Sequence, residues 1–165
     1  MPRPVTVSID VHRSRRDVFA FLDCLANHEP FNDHLMRDWQ MSGPGRGVGS
    51  RALVQTKALG VTDVVEIEVL ESNEPVTIVE RNVASKARRV GQGTYILEDL
   101  ADCGTRITFE YRWIAAPLID RLSAPIARAY IRRNNTIALR RLAAILDGSA
   151  SDDLAPTADR ARGVE

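Results

Sequence analysis

An α+β fold, in which a curved antiparallel sheet of about seven strands wraps one long C-terminal helix, is predicted by three observations on this chain of 165 residues. The first is the segment 93–113, which reads as two alternating strands around a short polar turn. Ile107, Phe109, Tyr111 and Trp113 fall on one face at period two, with Arg106, Thr108, Glu110 and Arg112 on the other. One side of the sheet therefore needs a cover. The second is that strand-like runs repeat between 37 and 113 with only short Gly, Pro, Asn and Asp turns between them, which favours antiparallel neighbours over crossover units. The third is the composition after Trp113, rich in Ala, Leu, Ile and Arg and free of glycine until Gly148, which supplies a helical cover. A sheet wrapped on a helix with aromatics on its inner side leaves room for a cavity, and cavities of that kind hold small apolar ligands.

Each element follows in order. Val5, Val7, Ile9 and Val11 alternate with Thr6, Ser8, Asp10 and His12, the pattern of a first strand with one buried face. A helix starts at once, with Ser14 as N-cap, Asp17 three residues on, and Val18, Phe21, Leu22 and Leu25 as its inner stripe. Pro30 limits the next stretch to one short second turn, anchored by Phe31 and Leu35. Strands are expected at roughly 37–42, 50–58, 61–71, 76–84, 89–99 and 104–114. In the third of these, Val61, Val65, Ile67 and Val69 share a face that also contains Asp63. The final segment predicts one long helix, or two joined near Pro125, whose stripe of Ala127, Ile131, Ala138, Leu142 and Ile145 includes Asn134 or Asn135. One domain over residues 1–147 is expected, with 148–165 a polar, aperiodic and disordered tail.

Bulk properties exclude several classes. The 22 basic and 22 acidic residues cancel, so no global field draws in nucleic acid or an anionic membrane. The arginine pairs at 15–16, 88–89, 132–133 and 140–141 are interspersed with carboxylates and read as solvated faces. Cys24 and Cys103 lie far apart, outside any metal-spaced set, and read as free thiols in a reducing compartment. The N-terminus lacks the apolar core of a signal peptide, and no run approaches the roughly 20 apolar residues that span a bilayer, so a cytoplasmic location is expected.

Several phrases carry a resemblance to a known family. Residues 9–19, Ile9 Asp10 Val11 His12 Arg13 Ser14 Arg15 Arg16 Asp17 Val18 Phe19, resemble the opening strand and helix start of the polyketide cyclase/dehydrase and lipid-transport family of the START-like (SRPBCC) superfamily. Asn27 His28 Glu29 Pro30 Phe31 resembles its second helical turn, where a tryptophan is more usual than Phe31. Gly47 Val48 Gly49 Ser50, Asn73 Glu74 Pro75 Val76 and Cys103 Gly104 Thr105 Arg106 Ile107 Thr108 continue the match, which covers about residues 5 to 147. The resemblance implies the helix-grip fold. It also implies an apolar small molecule, such as a lipid, sterol, quinone or aromatic polyketide, held between the sheet and the C-terminal helix. It carries over no catalytic residue, because the family has no universal catalytic motif.

No classical catalytic signature stands against this. There is no HExxH, no GxSxG elbow and no metal-spaced cluster, and neither a metal nor an organic cofactor is expected. His28 and His34 could line a cavity mouth or lie at the surface. The glycine-rich 43–49 precedes a strand rather than a helix and reads as a turn, and Gly91 and Gly93 as a bend or bulge. Tyr95, Phe109, Tyr111 and Trp113 are candidate pocket walls as well as candidate core; Phe31 and Trp39 join them, with Gln55, Asp63 and Asn134 as inward polar groups. Asn82 and Gln92 are further polar positions of that kind.

Three functions remain in view. The first is a module binding a small hydrophobic or aromatic ligand, with no DNA partner, no stable membrane insertion and a homodimer left open. The second is an aromatic polyketide cyclase/dehydrase working in the same cavity, with Asp63, Tyr111 or His34 as acid/base groups. The third is a protein or RNA interaction module using Arg132, Arg133, Arg140 and Arg141, as family members resembling ribosome-associated toxins or quinone-binding factors suggest.

Overall fold

A computed structural model describes residues 2–58, 61–86, 89–116 and 123–153. Strand β1 (Val5–Val11) buries Val5 and Val11 at its ends. Helix α1 (Arg15–Leu22) starts at Ser14, whose Oγ accepts from the Asp17 backbone N–H at 3.2 Å and donates to the Asp17 carboxylate at 2.7 Å, closing the predicted box. Its buried stripe is Val18, Phe19 and Leu22, with Phe21 only half-buried. A 3-10 turn (Leu25–His28) leads into the single-turn helix α2 (Glu29–Asn32), with Pro30 in its first turn, where a missing N–H costs nothing.

Strands β2 (Met36–Ser42), β3 (Arg51–Ala58), β4 (Val61–Asn73), β5 (Thr77–Ala84), β6 (Arg89–Asp99) and β7 (Thr105–Ala115) match the six predicted runs closely. They form one antiparallel sheet in the order β1-β7-β6-β5-β4-β3-β2. Pairings such as Val69 with Glu80, Glu80 with Gly93, and Gly93 with Tyr111 carry one inner row across four strands. Bulges at Arg37/Gln40, Val69/Glu71 and Val90/Gly91 accompany the curvature.

Helix α3 (Ala124–Asp153) is a single rod, with Pro125 in its first turn rather than at a joint. It continues five residues past Gly148, where a tail was expected, while 154–165 lie outside the described residues. It is tied to the start of the chain by the His12 N–H on Asp147 Oδ1 at 2.9 Å, by Arg13 Nε on the Leu146 carbonyl at 3.0 Å, and by an Arg141–Asp33 ion pair on α2's flank.

Among the described residues two apolar clusters hold the fold. The larger joins α1, the inner faces of β1, β6 and β7, and the C-terminal half of α3, around Leu22, Leu97, Ile107 and Leu142. The smaller joins Leu25, Ala52, Val54, Val65 and Ile67, with Met36, Trp39 and Ala84 packed on it, and contains no residue of α3.

Candidate functional site

Between the sheet and the N-terminal half of α3 lies a cavity of about 210 Å³. Helix α3 contributes Tyr130, Ile131, Asn134, Asn135, Ala138 and Leu139, whose spacing places them on one face. The sheet contributes Met36 and Trp39 from β2, Thr56 from β3, Asp63, Val65 and Ile67 from β4, Glu80, Asn82 and Ala84 from β5, Arg89 and Tyr95 from β6, and Phe109 and Tyr111 from β7. His28, Phe31, Asn32 and Leu35 line it from the α2 region.

Local chemistry explains these placements. Strict alternation would point Met36 and Trp39 to opposite faces. The bulge between Arg37 and Gln40, with Asp38 at φ 53°, brings both to the cavity. On β6, glycines at 91 and 93 seat aromatic rings from β7. A Cβ on Gly91 would meet Tyr111 Oη at 2.2 Å, and one on Gly93 would meet Phe109 Cζ at 2.8 Å. The rings thus lie against bare backbone, leaving the space above them open. The chain of rings continues with Phe109 against Tyr95 at 4.6 Å, Tyr95 edge-on to His28 at 5.6 Å, and His28 against Phe31 at 5.2 Å between centroids.

The polar groups divide into satisfied and unsatisfied ones. Asp63 is buried, and its Oδ1 accepts from the Val64 N–H at 2.8 Å, the Lys86 N–H at 2.9 Å and Ser85 Oγ at 3.2 Å. It pins the β4–β5 end of the sheet. Asn134 Nδ2 donates to the Tyr130 carbonyl at 2.9 Å. By contrast Glu80 Oε1, Trp39 Nε1 and Asn135 Nδ2 are buried on residues lining the cavity and have no hydrogen-bond partner. Leaving such groups unmade costs about 1–3 kcal/mol each, so their place on a cavity wall points to a polar guest or water.

Glu80 is the most unusual of them. It is 4% exposed, and the His28 Nδ1, itself on a buried side chain, is 3.3 Å from Oε1. Burial pushes the Glu80 carboxyl above the usual carboxylate range, and the facing His28 opposes that shift. The Tyr95 hydroxyl is held well above 10, first by burial and then by the neighbouring Glu80.

Of the residues expected at the site, Phe31, Trp39, Asp63, Tyr95, Phe109, Tyr111 and Asn134 line the cavity. Two do not. Gln55 is exposed, because β3 turns Ala52, Val54 and Thr56 inward and Gln55 outward. Trp113 lies on the inner face but is buried as core, its ring edge-on to Tyr111 at 5.2 Å. Gln92 also stays outside the lining, whereas Asn82 belongs to it. His34 is absent from the lining; its Nε2 faces the Asn134 carbonyl at 3.3 Å, and burial lowers its pKa, with the nearby Arg141 adding to the effect. Asp63 and Tyr111 line the wall without it.

Glu80 was not among the inward polar groups read from the sequence, although it shares a face of β5 with Asn82, which was. The pairing of Glu80 with Val69 of β4, whose inner face is marked by Val65, Ile67 and Val69, sets it inward.

Among the described residues no three His, Cys, Asp or Glu side chains gather as a metal site, and no helix is long and apolar enough to cross a membrane. Cys24 and Cys103 are both free thiols.

No family model and no curated protein matches the chain. Solved structures do. KanY superposes with a TM-score of 0.70 at 13% identity, over 90% of this chain and 99% of its own. TTHA0849 from Thermus thermophilus gives 0.66 at 13% identity, over 93% of this chain and all of its own. DynU16, a protein in the dynemicin biosynthetic locus, gives 0.63 at 17% identity, over 88% of this chain and 48% of DynU16. The fold is the helix grip. At these identities the likeness carries the START-like architecture alone, as the sequence phrases implied. In helix-grip terms the cavity occupies the space between the palm of the sheet and the gripped rod, α3.

Proposed function

We propose that the protein binds a small hydrophobic or aromatic molecule, of the lipid, quinone, sterol or polyketide-like kind, in the cavity between the sheet and α3. The observation that carries this reading is the cavity itself, walled by Phe31, Trp39, Tyr95, Phe109 and Tyr111 and by apolar residues of β4 and α3, with a few polar groups among them. Carriage of a lipid and residence in the cytoplasm are parts of the same proposal. DynU16's place in a biosynthetic locus supports a polyketide-like guest.

The buried His28–Glu80 pair on the wall favours a second reading, a cyclase/dehydrase that positions a flexible chain and moves protons. An interaction role for the arginines of α3 would rest on Arg132, Arg133 and Arg140, which are exposed, since Arg141 is engaged by Asp33.

Native mass spectrometry of the purified protein tests the main reading, with a co-purifying apolar small molecule expected. Titration with a lipid, sterol and aromatic panel should change the fluorescence of Trp39 on the wall and of Trp113 behind Tyr111. Tyr111→Ala should weaken binding by about tenfold or more while shifting the urea midpoint little, since Tyr111 is only half-buried. Neither a co-purifying molecule nor a spectral response across the panel would remove the reading.

A further inference from the structure

Glu80 carries an inference that deepens this reading and rests on it. His28 Nε2 is 2.8 Å from the Leu22 carbonyl. A carbonyl only accepts, so Nε2 bears a proton, and Nδ1 turns toward Glu80 either as a lone pair or as a second N–H. The 3.3 Å contact leaves Glu80 Oε1 without a hydrogen bond. The backbone of Arg89, the lining residue with a guanidinium, lies four residues along β6 from Gly93, the partner of Glu80, about 13 Å of strand rise. Asp63, the other lining carboxyl, already accepts from two backbone N–H groups and a hydroxyl.

We infer that Glu80 selects the ligand, presenting a protonated carboxyl to the oxygen of an uncharged guest, a ketone, ester or alcohol, and turning away acids of the same shape. Burial favours the neutral carboxyl. A guest carboxylate would have to give up its hydration opposite an acid. The two other unpartnered atoms on lining residues, Trp39 Nε1 and Asn135 Nδ2, are donors as well, so a guest rich in acceptor oxygens suits the wall.

Four probes of one shape test this by equilibrium titration at neutral pH: 2-acetylnaphthalene, 2-ethylnaphthalene, 2-naphthoate and 2-naphthylmethylamine. The ketone should bind about tenfold tighter than the hydrocarbon and than the acid, the scale of one buried hydrogen bond. Glu80→Gln, whose amide still donates, should keep the ketone preference. Glu80→Leu should erase it, so that ketone and hydrocarbon bind with equal affinity. Naphthoate binding as tightly as the ketone would overturn the inference, as would the ammonium binding tightest, which requires an ionised Glu80. A ketone preference that survives Glu80→Leu would overturn it too. If none of the four binds, the cavity reading falls with it, whereas equal binding of ketone and hydrocarbon sinks only the role of Glu80.

Discussion

Glu80 couples the cavity to the stability of the whole protein. Its carboxyl titrates above 4.5 in the folded state because it is buried, and the groups facing it are His28 from the 3-10 turn and Tyr95 from β6. The folded state therefore holds this proton more tightly than the unfolded chain does. The contribution of Glu80 to stability is greatest at low pH and declines as pH rises from about 4.5 through the raised folded value. Urea unfolding of the wild type and of Glu80→Gln across that window should show the variant gaining on the wild type as pH rises. Parallel curves would mean that Glu80 is ionised in the fold. Residues of this kind are hard to see in a sequence. Asp63 stands out because its neighbours Val65, Ile67 and Val69 declare the inner face, whereas Glu80 lies between Val79 and Arg81 on a strand with apolar residues on both sides. Trp39 was visible as an aromatic, but what turns it inward is a bulge at Asp38, which no alternation pattern reports.

At the scale of elements, the strand limits were legible because hydrophobic alternation and turn residues agree on them. Ser14 and Asp17 likewise announce the start of α1. The extent of α3 was not. Gly148 reads as a stop, yet a Cβ there would meet nothing within 4 Å, and the helix continues to Asp153. Strand β6 shows best how an element shapes the site. Its inner row runs Gly91, Gly93, Tyr95, Leu97, so it is bare backbone where the cavity opens and bulky where the core closes. Gly93→Ala should drive the Phe109 ring toward the cavity. A destabilisation of about 1–3 kcal/mol is expected from such overpacking, read from urea midpoints. Affinity for 2-acetylnaphthalene should fall by a larger factor than for Tyr111→Ala if Phe109 forms the floor. An unchanged midpoint and affinity would show that the ring has room elsewhere.

Across the whole molecule, the cavity is the interval between two separately packed clusters. The larger contains α1, β1, β6, β7, Val69 of β4 and the distal half of α3; the smaller contains Ala52 and Val54 of β3 with Val65 and Ile67 of β4. The sheet crosses the interval, and β5 supplies Ile78 to one side and Ala84 to the other. A bound guest touches both, so it should add apolar contacts that the empty protein lacks. Amide hydrogen exchange should then show ligand-dependent protection concentrated in β2–β4 and in residues 130–139 of α3, with β1, which adds nothing to the lining, changing little. Uniform protection would indicate that the two clusters unfold as one unit.

The seam between the clusters has one more consequence. The walls come from two clusters joined through β4 and β5, so bending of those strands is the motion by which the enclosed space would fit guests of unequal girth. Breadth of tolerance is then a property of the architecture, while discrimination is left to the handful of polar atoms that face inward.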